Sequence, residues 1–122
     1  MPKVSILTIT YNRADLIHRC IESVQSQTFQ DYEHIIADGG SSDNTEEVVL
    51  SYNDPHIKYI KLQNKGPEFQ MREAFKLSTG QYITFLDDDD EYLPDKLAIL
   101  PIPFSSLSAI ARVIACLIHH VA

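Results

Sequence analysis

Glycine is scarce in this chain, with four residues in 122: Gly39, Gly40, Gly66 and Gly80. A phosphate-binding P-loop needs G-x-x-x-x-G-K-[ST] and a dinucleotide fingerprint needs G-x-G-x-x-G, and these positions make neither. Positive charge is also short, since ten Lys and Arg face 17 Asp and Glu for a net charge of -7. That balance argues against a nucleic-acid backbone as the main partner. Cysteine occurs only as Cys20 and Cys116, without metal-ligand spacing, as expected of reduced, packed thiols in a cytosolic protein. No long apolar run opens the chain: Val4 to Ile9 gives way to polar residues too soon for a signal peptide. Acidic side chains are missing altogether beyond Asp95, and from Leu97 to Ala122 the only charged residue is Arg112.

What is present suits one globular domain, with 44% hydrophobic and 22% charged residues. "VSILTIT" (4–10), "EHIIAD" (33–38), "HIKYIKL" (56–62) and "QYITFL" (81–86) read as strands. Leu16, Ile17, Cys20, Ile21 and Val24 recur at helical spacing, with Asp15 in the first turn. Asp43 and Glu46 form a capping box for a second helix that buries Val48, Val49 and Tyr52. A third helix from Pro67 to Ser78 buries Met71, Ala74, Phe75 and Leu77, and Gly80 ends it. Pro94 starts a further helix through Leu97 and Leu100. Strands alternating with helices in this way imply an α/β fold with a mainly parallel sheet flanked by helices.

Ligands of such sheets bind beyond the carboxyl ends of the strands. Here those ends carry Tyr11 and Asn12, then Asp38, then the run Asp87 to Asp90 followed by Glu91. Two carboxylates about 4 Å apart repel by roughly 4 kcal/mol at an effective dielectric near 20, so the run needs either water or a cation. An EF-hand loop from Asp87 would require Gly and Glu where the chain has Tyr92 and Ala98. An aspartyl-phosphate site stays open, although its lysine is not evident. A nucleoside diphosphate held with Mg²⁺ or Mn²⁺ fits better, because hard cations choose carboxylate oxygens and leave positions for phosphate. In an extended segment Asp87 and Asp89 project to one side, and Asp88 and Asp90 to the other. His18, His34, His56, His119 and His120 form no ligand motif.

Four pieces then stand in a recognisable order: "VSILTITYNRADLIHRCIESVQSQTF", "DGGSSDNT", "NKG" after a strand, and "GQYITFLDDDDEYLPDKL". Together they resemble the N-terminal, nucleotide-sugar-binding part of the family-2 glycosyltransferases, from Val4 to about Leu97. The resemblance implies the GT-A, Rossmann-like fold, here shortened. It implies a metal-assisted enzyme that transfers a sugar from a nucleoside-diphosphate sugar, a UDP-sugar foremost, to a saccharide or lipid-linked acceptor hydroxyl with inversion. By the same resemblance Tyr11 stacks on the base and Asp38 holds base or ribose. Asp87 meets the ribose or a metal-bound water, Asp89 coordinates Mg²⁺ or Mn²⁺, and Arg72 faces the nucleotide. As a bare sequence feature, Asp38 before two glycines equally suits an Asx turn. Two positions depart from the pattern. Gly39 stands where many relatives carry a second acid that meets the base, and "EFQMREAF" replaces the small-residue A-R-N-x-G context around Arg72.

The resemblance divides the chain into a donor part, residues 1–98, and an apolar tail, 99–122, which is read either as a truncated or reading-frame-shifted end or as a helix packed on the sheet. Phe104 to Ile118 is shorter than the roughly 20 residues of a spanning helix, and Arg112 interrupts it. The tail also offers a route to self-association or to contact with a membrane surface, so the expected location is the cytoplasm, with the inner membrane surface as the alternative. Relatives carry the acceptor base well downstream of the D-x-D pair, and this chain has no acid after Asp95. The catalytic base is therefore unassigned, and nucleotide binding without appreciable transfer is expected of the 122 residues alone.

Overall fold

Four β-branched and apolar runs pair side by side in the computed structural model, which describes residues 2–99. The strands are β1 (Val4–Thr10), β2 (Tyr32–Asp38), β3 (Ile57–Lys61) and β4 (Tyr82–Phe85). They form one sheet, in the order β3-β2-β1-β4, with every pairing parallel. The β1–β2 register runs from Val4 opposite Tyr32 to Thr10 opposite Asp38. Between the strands lie α1 (Ile17–Gln25), α2 (Thr45–Ser51) and α3 (Pro67–Leu77). Helices of nine, seven and eleven residues are too short to persist on their own propensity, so burial of one face must hold them.

That burial happens on both sides of the sheet, which is why the two central strands read as continuous apolar runs. Ala74, Met71 and Phe75 of α3 pack on Leu7, Ile35, Ala37, Ile83 and Phe85. On the opposite face Ile17, Ile21 and Val49 meet Ile36, while Cys20 and Val24 meet Val4, Ile6 and Leu86. Each fully buried aliphatic side chain stabilises by roughly 1.5–3 kcal/mol. Two polar groups enter this second layer: Thr8 Oγ1 lies 2.8 Å from His34 Nε2 and 3.8 Å from Cys20 Sγ. Burial depresses the His34 imidazole from 6.5 to about 4, and its Nδ1 has no partner among the described residues. Burial likewise pushes the Cys20 thiol up to about 12, as suits an inert packed cysteine.

Several local expectations change in the folded chain. Asp15 precedes α1 instead of lying in its first turn. Asp43 accepts from the Thr45 N–H and hydroxyl two residues on, Asn44 takes the N-cap position without a side-chain bond, and Glu46 turns away to Lys61 at 3.6 Å, so the capping box does not form. Leu77 is 39% exposed, and the buried polar residue of α3 is Gln70. After Pro94 the chain makes a turn and a short 3-10 segment, Leu97–Ile99, instead of a regular helix. The expectations for Leu100, Cys116, His119, His120 and the apolar tail concern residues outside those described.

Gly80 does not cap α3, because Ser78 ends that helix in extended conformation. It is needed for close approach instead: a Cβ there would stand 2.7 Å from Ser5 N and from Ser5 Oγ. The Gly80 N–H donates to Ser5 Oγ, and Ser5 donates to the buried Glu33 carboxylate. Glu33 also accepts from the Thr79 N–H and hydroxyl and pairs with Lys58. Burial pushes the Glu33 carboxyl up, but the bonds from Lys58, Ser5 and Thr79 outweigh it and hold the group below its ordinary value. This polar latch joins all four strands at their amino ends.

The chain runs outward from β1 to β2 to β3, then returns to set β4 on the other side of β1. The winding therefore reverses beside β1. At such a point the loops leaving neighbouring strands part, and a crevice opens at the carboxyl ends.

Candidate functional site

The crevice is built first by the two loops that follow β1 and β2. Asn12 adopts the left-handed region, φ 51°, which asparagine tolerates better than most residues. Its Oδ1 accepts from the N–H groups of Ser42 at 2.8 Å and Asp43 at 3.2 Å, and its own N–H donates to Ser41 Oγ at 2.8 Å. Asp38 organises the second loop from below. Its Oδ1 accepts from the N–H groups of Gly40 and Ser41 and from the Ser41 hydroxyl, and its Oδ2 from the Tyr59 hydroxyl. Burial and the Asp38 carboxylate together hold the Tyr59 phenol protonated. Gly40 must be glycine, since φ is 93° and a Cβ would meet the Leu62 carbonyl oxygen at 2.9 Å. The outcome is a laced rim that presents Tyr11, 43% exposed, at the end of β1.

A cleft of about 390 Å³ lies under this rim. Tyr11 and Arg13 of the β1–α1 loop, Pro67 and Gln70 of α3, and Asp87, Asp88 and Asp89 line it. The acidic run is not extended here. β4 ends at Phe85, and the Asp90 N–H donates to the Asp87 carbonyl at 3.1 Å, so the aspartates form a turn. Strand alternation therefore does not govern them. Carboxylate oxygens of Asp87, Asp89 and Asp90 lie within 4.8 Å of one another, which brings Asp90 to the side of the D-x-D pair instead of the opposite side. Asp88 turns inward, and its Oδ2 accepts from the Thr10 hydroxyl at 2.8 Å. Burial pushes the Asp88 carboxyl up, against the lowering influence of Thr10 and Arg13.

Relief of the like charges is partial. Arg13 Nη1 approaches Asp89 Oδ2 at 3.8 Å, and Arg19 Nη2 donates to the Asp89 carbonyl at 3.4 Å. The Arg13 and Asp89 side chains are 46% and 52% exposed, so this pair contributes at most about 1 kcal/mol. Three mutually close carboxylates, Asp87 half-buried and Asp89 and Asp90 exposed, fit a hard divalent cation and leave coordination positions for a ligand's oxygens.

Of the residues singled out from the sequence, Tyr11, Asp87 and Asp89 come together at one cleft. Asp38 does not join them: it is 0% exposed, and both of its oxygens accept bonds from the loop and Tyr59. In this structure it is the Asx-turn residue that shapes the rim. Arg72 does not join them either. It is exposed on α3 with its guanidinium carbon 6.0 Å from the Phe69 ring centroid, and it is not on the cleft wall. Among the described lining residues the cation is Arg13, with no lysine of the kind an aspartyl-phosphate site would use. Arg13, two residues beyond Tyr11, was open to the strand-end argument. Gln70 was not, because nothing distinguishes its position from a solvated helix face. Its Nε2 donates to the Thr10 carbonyl at 2.9 Å and the Ala37 carbonyl at 3.0 Å, tying α3 to the ends of β1 and β2.

The chain is similar to known proteins in sequence and in fold. A family model described as glycosyl transferase family 2 matches residues 5–102. The GalNAc(5)-diNAcBac-PP-undecaprenol beta-1,3-glucosyltransferase of Campylobacter jejuni is 42% identical over 104 residues, which cover 82% of this chain and 34% of that protein. The putative colanic acid biosynthesis glycosyl transferase WcaA of Escherichia coli is 39% identical over 101 residues, covering 80% and 36%. Among solved structures, the S. aureus TarS 1-349 complex with UDP-GlcNAc superimposes with a TM-score of 0.75 at 27% identity, covering 79% of this chain and 29% of that one. A mannosyltransferase from Pyrobaculum calidifontis, in complex with GDP-Man and Mn²⁺, shares the fold with a TM-score of 0.69 at 20% identity, covering 95% and 32%. The parallel, helix-flanked sheet is thus the Rossmann-like sheet of GT-A glycosyltransferases. The chain spans about a third of the length of each of these relatives.

Proposed function

Because the chain belongs to glycosyl transferase family 2, we propose that residues 1–98 form the donor-binding part of a protein that moves a sugar from a UDP-sugar to an acceptor hydroxyl with inversion. The observation that carries this reading is the grouping of Asp87, Asp89 and Asp90 within 4.8 Å beside Tyr11 in the cleft. The donor class is supported by the TarS structures, whose complexes hold UDP and UDP-GlcNAc. A saccharide or lipid-linked acceptor is supported by the Campylobacter relative, whose name places its substrate on PP-undecaprenol.

In this reading Tyr11 lays its ring on the base, an interaction that elsewhere contributes about 1–3 kcal/mol per base. Asp89 and Asp87, with Asp90 beside them, would hold Mg²⁺ or Mn²⁺, and the bound cation would offset charge developing on the departing diphosphate. Asp88 acts one step behind, since its bond to Thr10 fastens the turn to the end of β1. Asp38 positions the Gly40–Ser41 rim. Arg13, already within 3.8 Å of Asp89, is placed to follow the diphosphate when the carboxylates engage a cation. No residue of this chain is assigned as the acceptor base, because in this reading the acids at the cleft, Asp87 to Asp89, serve the cation and its turn, and none follows Asp95.

The test is calorimetric titration of UDP into the chain with and without Mn²⁺. Binding that requires the cation, and that weakens with Asp89→Asn, is the expected result. Binding of no nucleoside diphosphate under either condition refutes the reading.

A further inference from the structure

The feature that the donor reading leaves unexplained is a glutamine amide, 5% exposed, in the wall of the cleft. Gln70 follows Gly66 and Pro67 at the start of α3, and its backbone N–H donates to the Gly66 carbonyl at 3.2 Å. The side chain therefore reaches over the ends of β1 and β2. Its amide group lies between two carbonyl oxygens, those of Thr10 and Ala37, at 2.9 and 3.0 Å. Only the NH₂ end of an amide can satisfy two carbonyls, so chemistry decides which atom is Nε2. Both donors are then used, and the one remaining polar atom that Gln70 can offer a ligand is the acceptor Oε1.

The amide packs directly against Gly39, and only a residue without a side chain leaves room for it there. A Cβ at that position would stand 2.9 Å from Gln70 Cδ, 2.9 Å from Oε1 and 3.1 Å from Nε2. The absence of a side chain at 39 and the buried amide at 70 thus belong to one arrangement. Tyr11 lines the same cleft, so a base lying on its ring turns an edge toward the wall.

Resting on the proposed nucleotide reading, we infer that Gln70 selects the base: Oε1 accepts the ring N–H of uracil N3 or guanine N1. Cytosine and adenine present a lone pair at the corresponding ring nitrogen, and an acceptor facing an acceptor is repelled. An amide whose donors are already bound cannot flip to suit them without breaking its bonds to Thr10 and Ala37.

Calorimetry on the full chain in Mn²⁺, with UDP, CDP and inorganic pyrophosphate as ligands, tests this assignment. The wild-type chain is expected to bind UDP about tenfold more tightly than CDP, the worth of one well-made hydrogen bond. Gln70→Met, similar in length, removes the acceptor together with the two donors to Thr10 and Ala37; it should bring the two nucleotides within about twofold, and pyrophosphate binding that stays unchanged separates loss of the acceptor from displacement of α3. Gly39→Ala should also erode the preference by displacing the amide, and it carries the test if Gln70→Met does not fold. Equal affinity of the wild type for UDP and CDP overturns the inference and leaves the donor-site reading intact. So does a UDP preference that survives in a folded variant. Failure of the wild type to bind any nucleoside diphosphate overturns both.

Discussion

Acidification should destabilise this domain through His34. The imidazole is 1% exposed, touches one polar partner, Thr8, and is depressed from 6.5 to about 4 by burial; Asp54 supplies a smaller opposing influence. Between these two values the unfolded chain carries a proton on His34 that the folded chain refuses. The unfolded state therefore binds more protons, and stability rises with pH across that window. The contribution is complete above pH 6.5, declines as pH falls, and is gone below about pH 4. At about 1.4 kcal/mol per pH unit the window is worth roughly 3 kcal/mol, a large share of the 5–15 kcal/mol typical of a small domain. Urea unfolding followed by far-ultraviolet circular dichroism at intervals from pH 4 to 7.5 would measure it. His34→Gln is the reference, because its amide can still bond the Thr8 hydroxyl but does not titrate. Subtracting the two profiles removes the carboxylates, including Glu33, whose lowered value puts its own loss at more acid pH. The wild-type profile should lose about 3 kcal/mol relative to His34→Gln between pH 6.5 and 4. Parallel profiles would show that His34 accepts its proton inside the fold, and the argument from burial would be wrong.

Other substitutions separate binding from support. Asp89→Asn should weaken Mn²⁺-assisted UDP binding by at least about tenfold, with a smaller loss for Asp90→Asn. Asp88→Asn, which can still accept from Thr10, should stay within about twofold, and a larger effect at 88 than at 89 in calorimetry would reverse the assignment. Tyr11→Ala should cost about 1–3 kcal/mol in UDP binding and nothing in pyrophosphate binding; equal losses for both ligands would make the ring structural. Gly80→Ala should lower stability by about 1–3 kcal/mol through overpacking against the β1 backbone, read as a lower urea midpoint. An unchanged midpoint would show that β1 and the approach to β4 can separate freely.

The sheet was legible because its strands are buried on both faces: "VSILTIT" and "EHIIAD" carry the β-branched density that a two-sided core demands. From the sheet followed the place of Tyr11, Asp87 and Asp89, since a parallel order puts strand carboxyl ends together. What escaped has a common cause. Glu33, Lys58 and Gln70 are polar residues whose partners lie 25 to 60 positions away on other elements, and local pattern assigns such residues to solvent. Asp90 was misplaced for a different reason. Alternation belongs to extended chain, and four successive aspartates bend into a turn as soon as the β4 ladder ends. Leu77 and Gly80 show the limit of helix signals, because Leu77 lies on the exposed side of the last turn of α3 and the glycine answers to Ser5, not to the helix.

The latch among Ser5, Glu33, Lys58, Thr79 and Gly80 has a consequence for how this molecule can change. It sits at the second residue of β1, five residues from Thr10, or about 16 Å along the strand from the acidic turn. Substitutions that far apart, with no shared partner, add independently. Cation and phosphate binding at the acidic turn and the latch's contribution to the fold are therefore separately heritable traits here. A lineage, or a library randomised across Asp87, Asp89 and Asp90, can explore new phosphate chemistry without first acquiring compensating stability. The same freedom does not extend to Glu33, where a single neutral replacement strands Lys58 and two hydroxyls at once.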